Sequence, residues 1–495
     1  MLRLKCAFQV YEWGKIGAKS EVYKLLGNSG QSQKLDESKP YAELWMGTHI
    51  SGPSFLMDDP SLSLESYISE HFNCLGSSVF GKSLPFLFKV LSVRKALSIQ
   101  AHPDKEYAVK LHAERPDLYK DSNHKPELAI ALTPFEAMVA FRPPAEIGAF
   151  AKYISELYAI IGSEYTSDLM ALSASDEDLT APLIKAAYSR LMTADPEMVS
   201  ALVNSLKDRL ISGEKIIIPP FENYTIDTDG LEKVFIRLAT DFPGDVGCFS
   251  LFFFNYIKLN PGEAIFLEPN LPHAYLSGDC VECMASSDNV IRAGLTQKFK
   301  DVDHLLRIVQ YEPRWGSELK FAGQLKRIQL ADKTPSCTVD IRDQEKKATD
   351  DDSIALPELV TFSPPVDEFA VDKISIPGQY ETVEFSPLKT ASILIIMDGK
   401  GRLQRLYGNR LSIVETAWDS VENPTSVRNN PKNNSYKSDY VDSNSVSSAF
   451  VCEYLNFDRG SVFFISAGVP FCIHQLQSSN SQILAFRAYA NVSCN

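Results

Sequence analysis

The stretch Pro261–Tyr275, "PGEAIFLEPNLPHAY", aligns without gaps on Arg459–Ile473, "RGSVFFISAGVPFCI". Gly262 falls on Gly460, Phe266 on Phe464, Pro272 on Pro470 and His273 on Phe471. Each copy reads as a turn, an apolar strand, and a second turn of small residues that ends in proline. The polar tip of the first copy, His273, is a phenylalanine in the second. If His273 packs in a core, an aromatic replacement is unsurprising. If it is a ligand, the second copy has lost its site. The repeat alone leaves both readings open.

A unit of this form is the mark of the double-stranded β-helix, the jelly-roll or cupin architecture, and two copies predict two such domains. The surrounding chain agrees. Residues 1–145 carry short strand-like runs broken by Gly, Pro and Ser, among them "YAELWMGTHISGPSF", "LPFLFKVLSV", "PELAIAL" and "FEAMVAF". The texture changes near Pro143. Ile147, Phe150, Ile154, Leu157 and Ile161 are spaced by three and four, a helical stripe. Asp195-Pro196 reads as a helix start, followed by Met198, Leu202, Leu206 and Leu210 every four residues. Strand texture returns near 245, where "CFSLFFFNYI" reads as a buried strand. The expected organisation is mainly β with a helical insert. One cupin is split into 1–145 and 241–315, a helical domain occupies 146–240, and a second cupin spans 316–495. Within the last, the Asn/Ser-rich segment 419–447 is expected to be a long mobile loop without chemistry.

Composition narrows the function. The net charge of −14 opposes general affinity for nucleic acid or an anionic membrane, so an anionic ligand would need a local basic cluster. The start, "MLRLKCAFQVYEWGK", lacks the apolar core of a secretory signal, and no apolar run is long enough to span a membrane. Nine scattered cysteines suggest reduced thiols and a cytoplasmic protein.

The candidate chemistry lies in three places. In "ALSIQAHPDKEYA", Ser98, Gln100 and His102 alternate with Leu97, Ile99 and Ala101, so a strand puts the polar three on one face. Buried, such a face is costly unless its groups are bonded. In "DSNHKPELAIAL", Glu127 opens an apolar strand after a proline turn and would project into the same cavity. With His273 these give a mixed N/O site from Gln100, His102, Glu127 and His273, suited to Zn²⁺ with room for water or substrate. No thiolate joins it. Cys280-Val-Glu-Cys283 has metal-like spacing, but a strand points its cysteines to opposite faces.

"QAHPDK", "NHKPELAIALTPFEAM", "EPNLPHAYLSGDCVECMASSDNVIRAG" and "YAELWMGTH" resemble the type I phosphomannose isomerases, over residues 1–310 and more weakly through the C-terminal region. The resemblance implies a catalytic cupin interrupted by a helical domain, and a metal-free second cupin. It implies one Zn²⁺ per chain on Gln100, His102, Glu127 and His273, and catalytic importance for Arg292 of "NVIRAG". The chain departs from the pattern in its long Asn/Ser-rich segment and in Gln297, where relatives often have proline. Neither touches the metal set.

The implied reaction interconverts mannose 6-phosphate and fructose 6-phosphate through a cis-enediol, supplying GDP-mannose synthesis. Moving a proton between C1 and C2 needs charge stabilisation at the oxygens, a base and a phosphate anchor. Arg292 is a fixed planar donor, so it is assigned to an oxyanion or the phosphate. Glu282, His124 and Lys125 are the candidate bases, with metal-bound water a further option. Glu282 reads equally well as a carboxylate that orients Arg292. Ser98, Lys89, Lys125, Lys298 and Tyr275 are candidates for the substrate and phosphate pocket. Glu43 and His49 are read as structural. The expected partner is a hexose 6-phosphate, with no nucleic acid or membrane and the chain a monomer. A metal-dependent cupin oxygenase and a non-catalytic sugar-phosphate-binding cupin are the rival readings.

Overall fold

The computed structural model describes residues 1–29, 35–76, 81–172, 176–220, 226, 228, 230–327, 355–406, 454–476 and 482–492. The segment 419–447 lies outside them.

Strand alternation builds the first β unit. One sheet runs in the order Lys320–Phe321, Ala264–Leu267, Glu127–Ala131, His273–Ala285, Phe86–Val93, Glu43–Met46, Ala7–Gln9. Facing it, Phe135–Phe141 lies between Phe254–Leu259 and the start of His273–Ala285, which Ile99–Ala101 links to Ile291–Gly294. The strand His273–Ala285 serves both layers. Residues 273–277 pair with Phe135–Phe141, and 278–285 pair with Phe86–Val93. The passage falls at Gly278, whose φ is 115°, and a Cβ there would stand 2.6 Å from the Pro134 carbonyl oxygen. Only glycine makes that corner without strain. Beyond it, Cys280 and Cys283 enter different cores, as strand alternation requires.

The second β unit pairs a larger sheet with a smaller one. The larger holds Glu358–Phe362, Ala370–Ile376, Ile483–Tyr489, Ser392–Asp398 and Val462–Ile465. The smaller holds Thr382–Phe385, Phe471–Gln475, Gly401–Arg405 and Tyr454–Phe457. Leu2–Lys5 joins the larger sheet by pairing with Val462–Ile465, although its place in the sequence suggested the first unit. Phe86, Phe88 and Ile130 of the first unit share a core with Ile395, Phe464 and Phe486 of the second, so the two units pack sheet on sheet. Each such side chain contributes about 1.5–3 kcal/mol relative to exposure.

The repeat recognised in the sequence is present in the backbone. Ala264–Leu267 matches Val462–Ile465, and His273 and Phe471 each open the next strand. Asn270 in the first turn has φ 66°, and its counterpart Gly468 has φ 72°. The tips diverge. Phe471 is fully buried, stacks on Phe385 with ring centroids 4.9 Å apart, and lies under the Arg487 guanidinium at 5.0 Å. Phe471→Ala is therefore expected to cost about 3–5 kcal/mol in urea denaturation, with bound metal unchanged. A cost below about 1 kcal/mol would show that the ring is not packed as described.

The insert comprises the helices Pro144–Tyr153, Ser155–Ile161, Ser163–Ala171, Glu177–Met192, Pro196–Ile211 and Leu231–Asp241. The residues of the first expected stripe are buried, but Ile154 breaks the helix in two. The second stripe needs correction. Val199, Val203, Leu206 and Leu210 face the core, whereas Met198 is 40% exposed. A strict four-residue step drifts around a helix of 3.6 residues per turn, and the true stripe steps by four, three and four. The run "CFSLFFFNYI" is also corrected. Val246–Phe252 is 3₁₀-helical, and the strand begins only at Phe254. Apolar packing against the helices and the sheet buries all of the run but Tyr256, so its hydrophobicity carries no strand-specific period.

Candidate active site

Strand register creates the site. His273 and Arg292 both pair with Gln100, from opposite sides, so the three side chains leave one face of the sheet. The Gln100 amide nitrogen is 3.3 Å from His273 Nε2. Rotation of the amide by half a turn would place its carbonyl oxygen at that point. His102, Glu127 and His273 offer ligand atoms that lie within 4.8 Å of one another, and all three residues are buried. His102 Nε2 is 3.2 Å from Glu127 Oε1, and His273 Nε2 is 3.5 Å from Glu127 Oε2.

The backbone fixes how the rings face. His102 Nδ1 donates to the Asn289 carbonyl at 2.7 Å, and His273 Nδ1 to the Leu271 carbonyl at 2.9 Å. Both Nε2 lone pairs are thereby turned toward the Glu127 carboxylate. Burial lowers the pKa of His102 to about 4, so its ring stays neutral. Burial alone would raise that of Glu127, but His102, His273 and Lys125 hold it well below the usual carboxylate range. His102 Nε2 and Glu127 Oε2 are buried without a hydrogen-bond partner among the described residues. Acceptors facing one another in a dry pocket are costly unless a cation lies between them. Two imidazole nitrogens, a carboxylate and a carboxamide oxygen are a donor set that fits Zn²⁺.

Of these groups, Gln100 and Glu127 open on a cavity of about 720 Å³. Gln100, Glu127, Lys89, Lys125, Glu282 and Arg292 line it, as do Ser98, Tyr275 and Lys298. The Lys125 ammonium is buried 3.6 Å from Glu127 Oε1, and burial lowers its pKa. Burial raises that of Glu282. The Tyr275 hydroxyl is buried and unpartnered among the described residues. Lys298 is exposed, 5.8 Å above the Tyr11 ring. Arg292 is half-buried, with no carboxylate at ion-pair distance among the described residues. A guanidinium in that state faces the cavity ready for an anion.

Other placements differ from expectation. Lys89, expected in the phosphate pocket, is held between Glu282 at 3.2 Å and Glu43 at 3.5 Å, with its ammonium 5.0 Å above Trp45. Burial works against its charge, but the two carboxylates prevail and raise its pKa. Glu43, read as structural, thus belongs to the cavity wall. His49 pairs with Asp288 at 3.2 Å. His124 does not line the cavity; its Nε2 donates to Glu368 at 2.7 Å. His124→Ala is expected to leave turnover intact while costing about 1–3 kcal/mol of stability, because it strips a partly buried carboxylate of its partner. Parallel kinetics and denaturation check this. Two participants carried no sequence signal. Asn289 acts through its backbone, and Lys95, which lines the cavity with its ammonium 4.4 Å above Phe242 at the end of the last insert helix, stands outside any alternating run.

Two family models match the chain: "Phosphomannose isomerase type I, catalytic domain" over residues 1–144 and "Phosphomannose isomerase type I, helical insertion domain" over 160–254. The chain is 47% identical to a probable mannose-6-phosphate isomerase of Echinococcus multilocularis, over 81% of this chain and 88% of that one. It is 40% identical to the mannose-6-phosphate isomerase of Homo sapiens, over 80% and 87% respectively. A solved zinc-bound mannose 6-phosphate isomerase superposes with a TM-score of 0.68 at 25% identity, over 99% of both chains. A variant of the Salmonella typhimurium phosphomannose isomerase gives a TM-score of 0.69 at 25% identity, covering 99% of this chain and 100% of that one. With its metal-ready cluster, its helical insert and relatives matched over most of their length, the chain belongs to the type I phosphomannose isomerase family.

Proposed function

We propose that the chain is a zinc-dependent aldose–ketose isomerase that interconverts mannose 6-phosphate and fructose 6-phosphate in the cytoplasm and supplies GDP-mannose synthesis. The observation that carries this reading is the buried cluster of His102, Glu127 and His273, in which His102 Nε2 and Glu127 Oε2 have no hydrogen-bond partner among the described residues, and whose Glu127 lines a cavity shared with Arg292. Membership of the family makes the oxygenase and storage readings unfavoured. Among the described residues, no helix is long and apolar enough to cross a membrane. We read 1–145 and 241–315 as the catalytic cupin, 146–240 as its helical insert and 316–495 as a second cupin without metal. The filled interior around Phe471 supports that last assignment.

Gln100, His102, Glu127 and His273 would hold one Zn²⁺ per chain. When bound, the ion supplies Lewis-acid stabilisation of charge at the sugar oxygens, worth several kcal/mol. The remaining steps fall to the chain. Arg292 binds an oxyanion or the phosphate through its rigid fork. Ser98 and Lys298 complete the anionic end of the pocket. Glu282 and Lys125 are the groups placed to move the proton between C1 and C2, since burial shifts both toward the working range. Lys89, itself paired with Glu43, holds the Glu282 carboxylate in place.

A coupled assay tests the reading. Purified chain given mannose 6-phosphate should form fructose 6-phosphate, with a turnover number of about 1–10³ s⁻¹. Tight sugar-phosphate binding without turnover would contradict it.

A further inference from the structure

The cavity rim between Arg292 and Asp301 is a closed loop. The Asp301 N–H donates to the Arg292 carbonyl at 2.7 Å, which brings the loop's ends together. Arg292, Thr296, Gln297 and Lys298 all line the cavity from this loop. Leu295 within it has φ 51°, a left-handed conformation that a leucine disfavours and holds only when its surroundings impose it.

Asp245 imposes it. This residue lies in the segment matched by the helical insertion model, just past the helix Leu231–Asp241. Its Oδ1 accepts from Leu295 N at 2.8 Å and from Gly247 N at 2.8 Å, and its Oδ2 accepts from Lys300 Nζ at 2.7 Å. The backbones are pressed together at the same point. A Cβ on Gly247 would lie 2.7 Å from Leu295 N, and one on Gly294 would lie 2.8 Å from Gly247 Cα. The Asp245 side chain is 9% exposed, so these bonds are made largely out of water.

We infer that Asp245 is a positioning residue: through its carboxylate the segment leading out of the helical insert holds the rim loop in the strained shape that presents Lys298 to the phosphate of the substrate. The inference rests on the sugar-phosphate reading above. It gives the segment leaving the insert a part in substrate binding without any contact of Asp245 with substrate. The proposed metal ligands stand on neighbouring strands, and none of them is bonded to Asp245.

The test uses the zinc-loaded full chain. Asp245→Ala removes all three bonds, each made by a charged acceptor. The KM for mannose 6-phosphate should rise about tenfold or more, with a smaller fall in kcat. Binding of inorganic phosphate, read by calorimetry without turnover, should weaken in step, and zinc should stay at one per chain. A merely structural cap would lower the melting temperature and leave KM and phosphate affinity alone; that result overturns the inference. Should Asp245→Ala not fold, Lys300→Met decides. It removes one leg of the same clamp from a half-exposed side chain and should raise KM about threefold. An unchanged KM and phosphate affinity in that variant would also overturn the inference. A parent chain that binds inorganic phosphate but shows no isomerase activity would sink the sugar-phosphate reading instead, while the calorimetric comparison still judges the clamp.

Discussion

Glu127→Ala is expected to lose the metal and the turnover together, by on the order of 10³-fold in kcat/KM, because the Lewis acid it removes supplies several kcal/mol. Glu127 is the one carboxylate in the cluster and lies between the two histidines, 3.2 Å from His102 Nε2 and 3.5 Å from His273 Nε2. Without its charge the site keeps two neutral imidazoles and an amide, a poor cage for a dication in a buried setting. The strand Glu127–Ala131 should persist, since its pairing with Ala264–Leu267 and His273–Ala285 runs through the backbone. Metal analysis beside steady-state kinetics checks this. A variant that keeps one zinc per chain at native affinity would show that Glu127 is not a ligand.

Arg292→Lys should keep fold and metal and still lose turnover, by on the order of 10²-fold or more, comparable to removing a preorganised donor from an oxyanion site. The argument is geometric. Arg292 lies opposite Gln100 on the neighbouring strand and projects beside the metal cluster. Lysine carries the same charge but not the planar two-pronged donor. An effect on an interaction made in the transition state lowers kcat and kcat/KM together, whereas loss of a ground-state anchor raises KM alone. Should kcat survive and only KM rise, Arg292 would be a phosphate anchor and its transition-state role would fall.

Much of this was legible in local pattern. Alternation in "ALSIQAH" placed Gln100 and His102 on one face, and the repeat around His273 and Phe471 survives down to the left-handed turn residue. These signals are local because a strand's faces follow from backbone geometry alone. Pairing across the chain was not legible. Leu2–Lys5 crosses to the distant sheet, and nothing in its four residues specifies that partner. Nothing in the sequence showed that Lys89 and Glu43 would meet; the register of their strands makes them an ion pair beside Glu282. The helical insert shows both effects. Its first stripe was read correctly, but Ile154 breaks the helix where the residue itself gives no warning. The rim clamp at Asp245 depends on the Leu295 N–H fifty residues away, which leaves no trace in side-chain pattern.

The central claim is that one zinc ion, held by Gln100, His102, Glu127 and His273, is required for isomerisation. The most direct measurement follows the conversion of mannose 6-phosphate to fructose 6-phosphate while zinc is stripped by a chelator and then titrated back. The account predicts that activity falls to background with the metal and returns in proportion, saturating at one zinc per chain. Turnover that persists in the metal-free protein would contradict it.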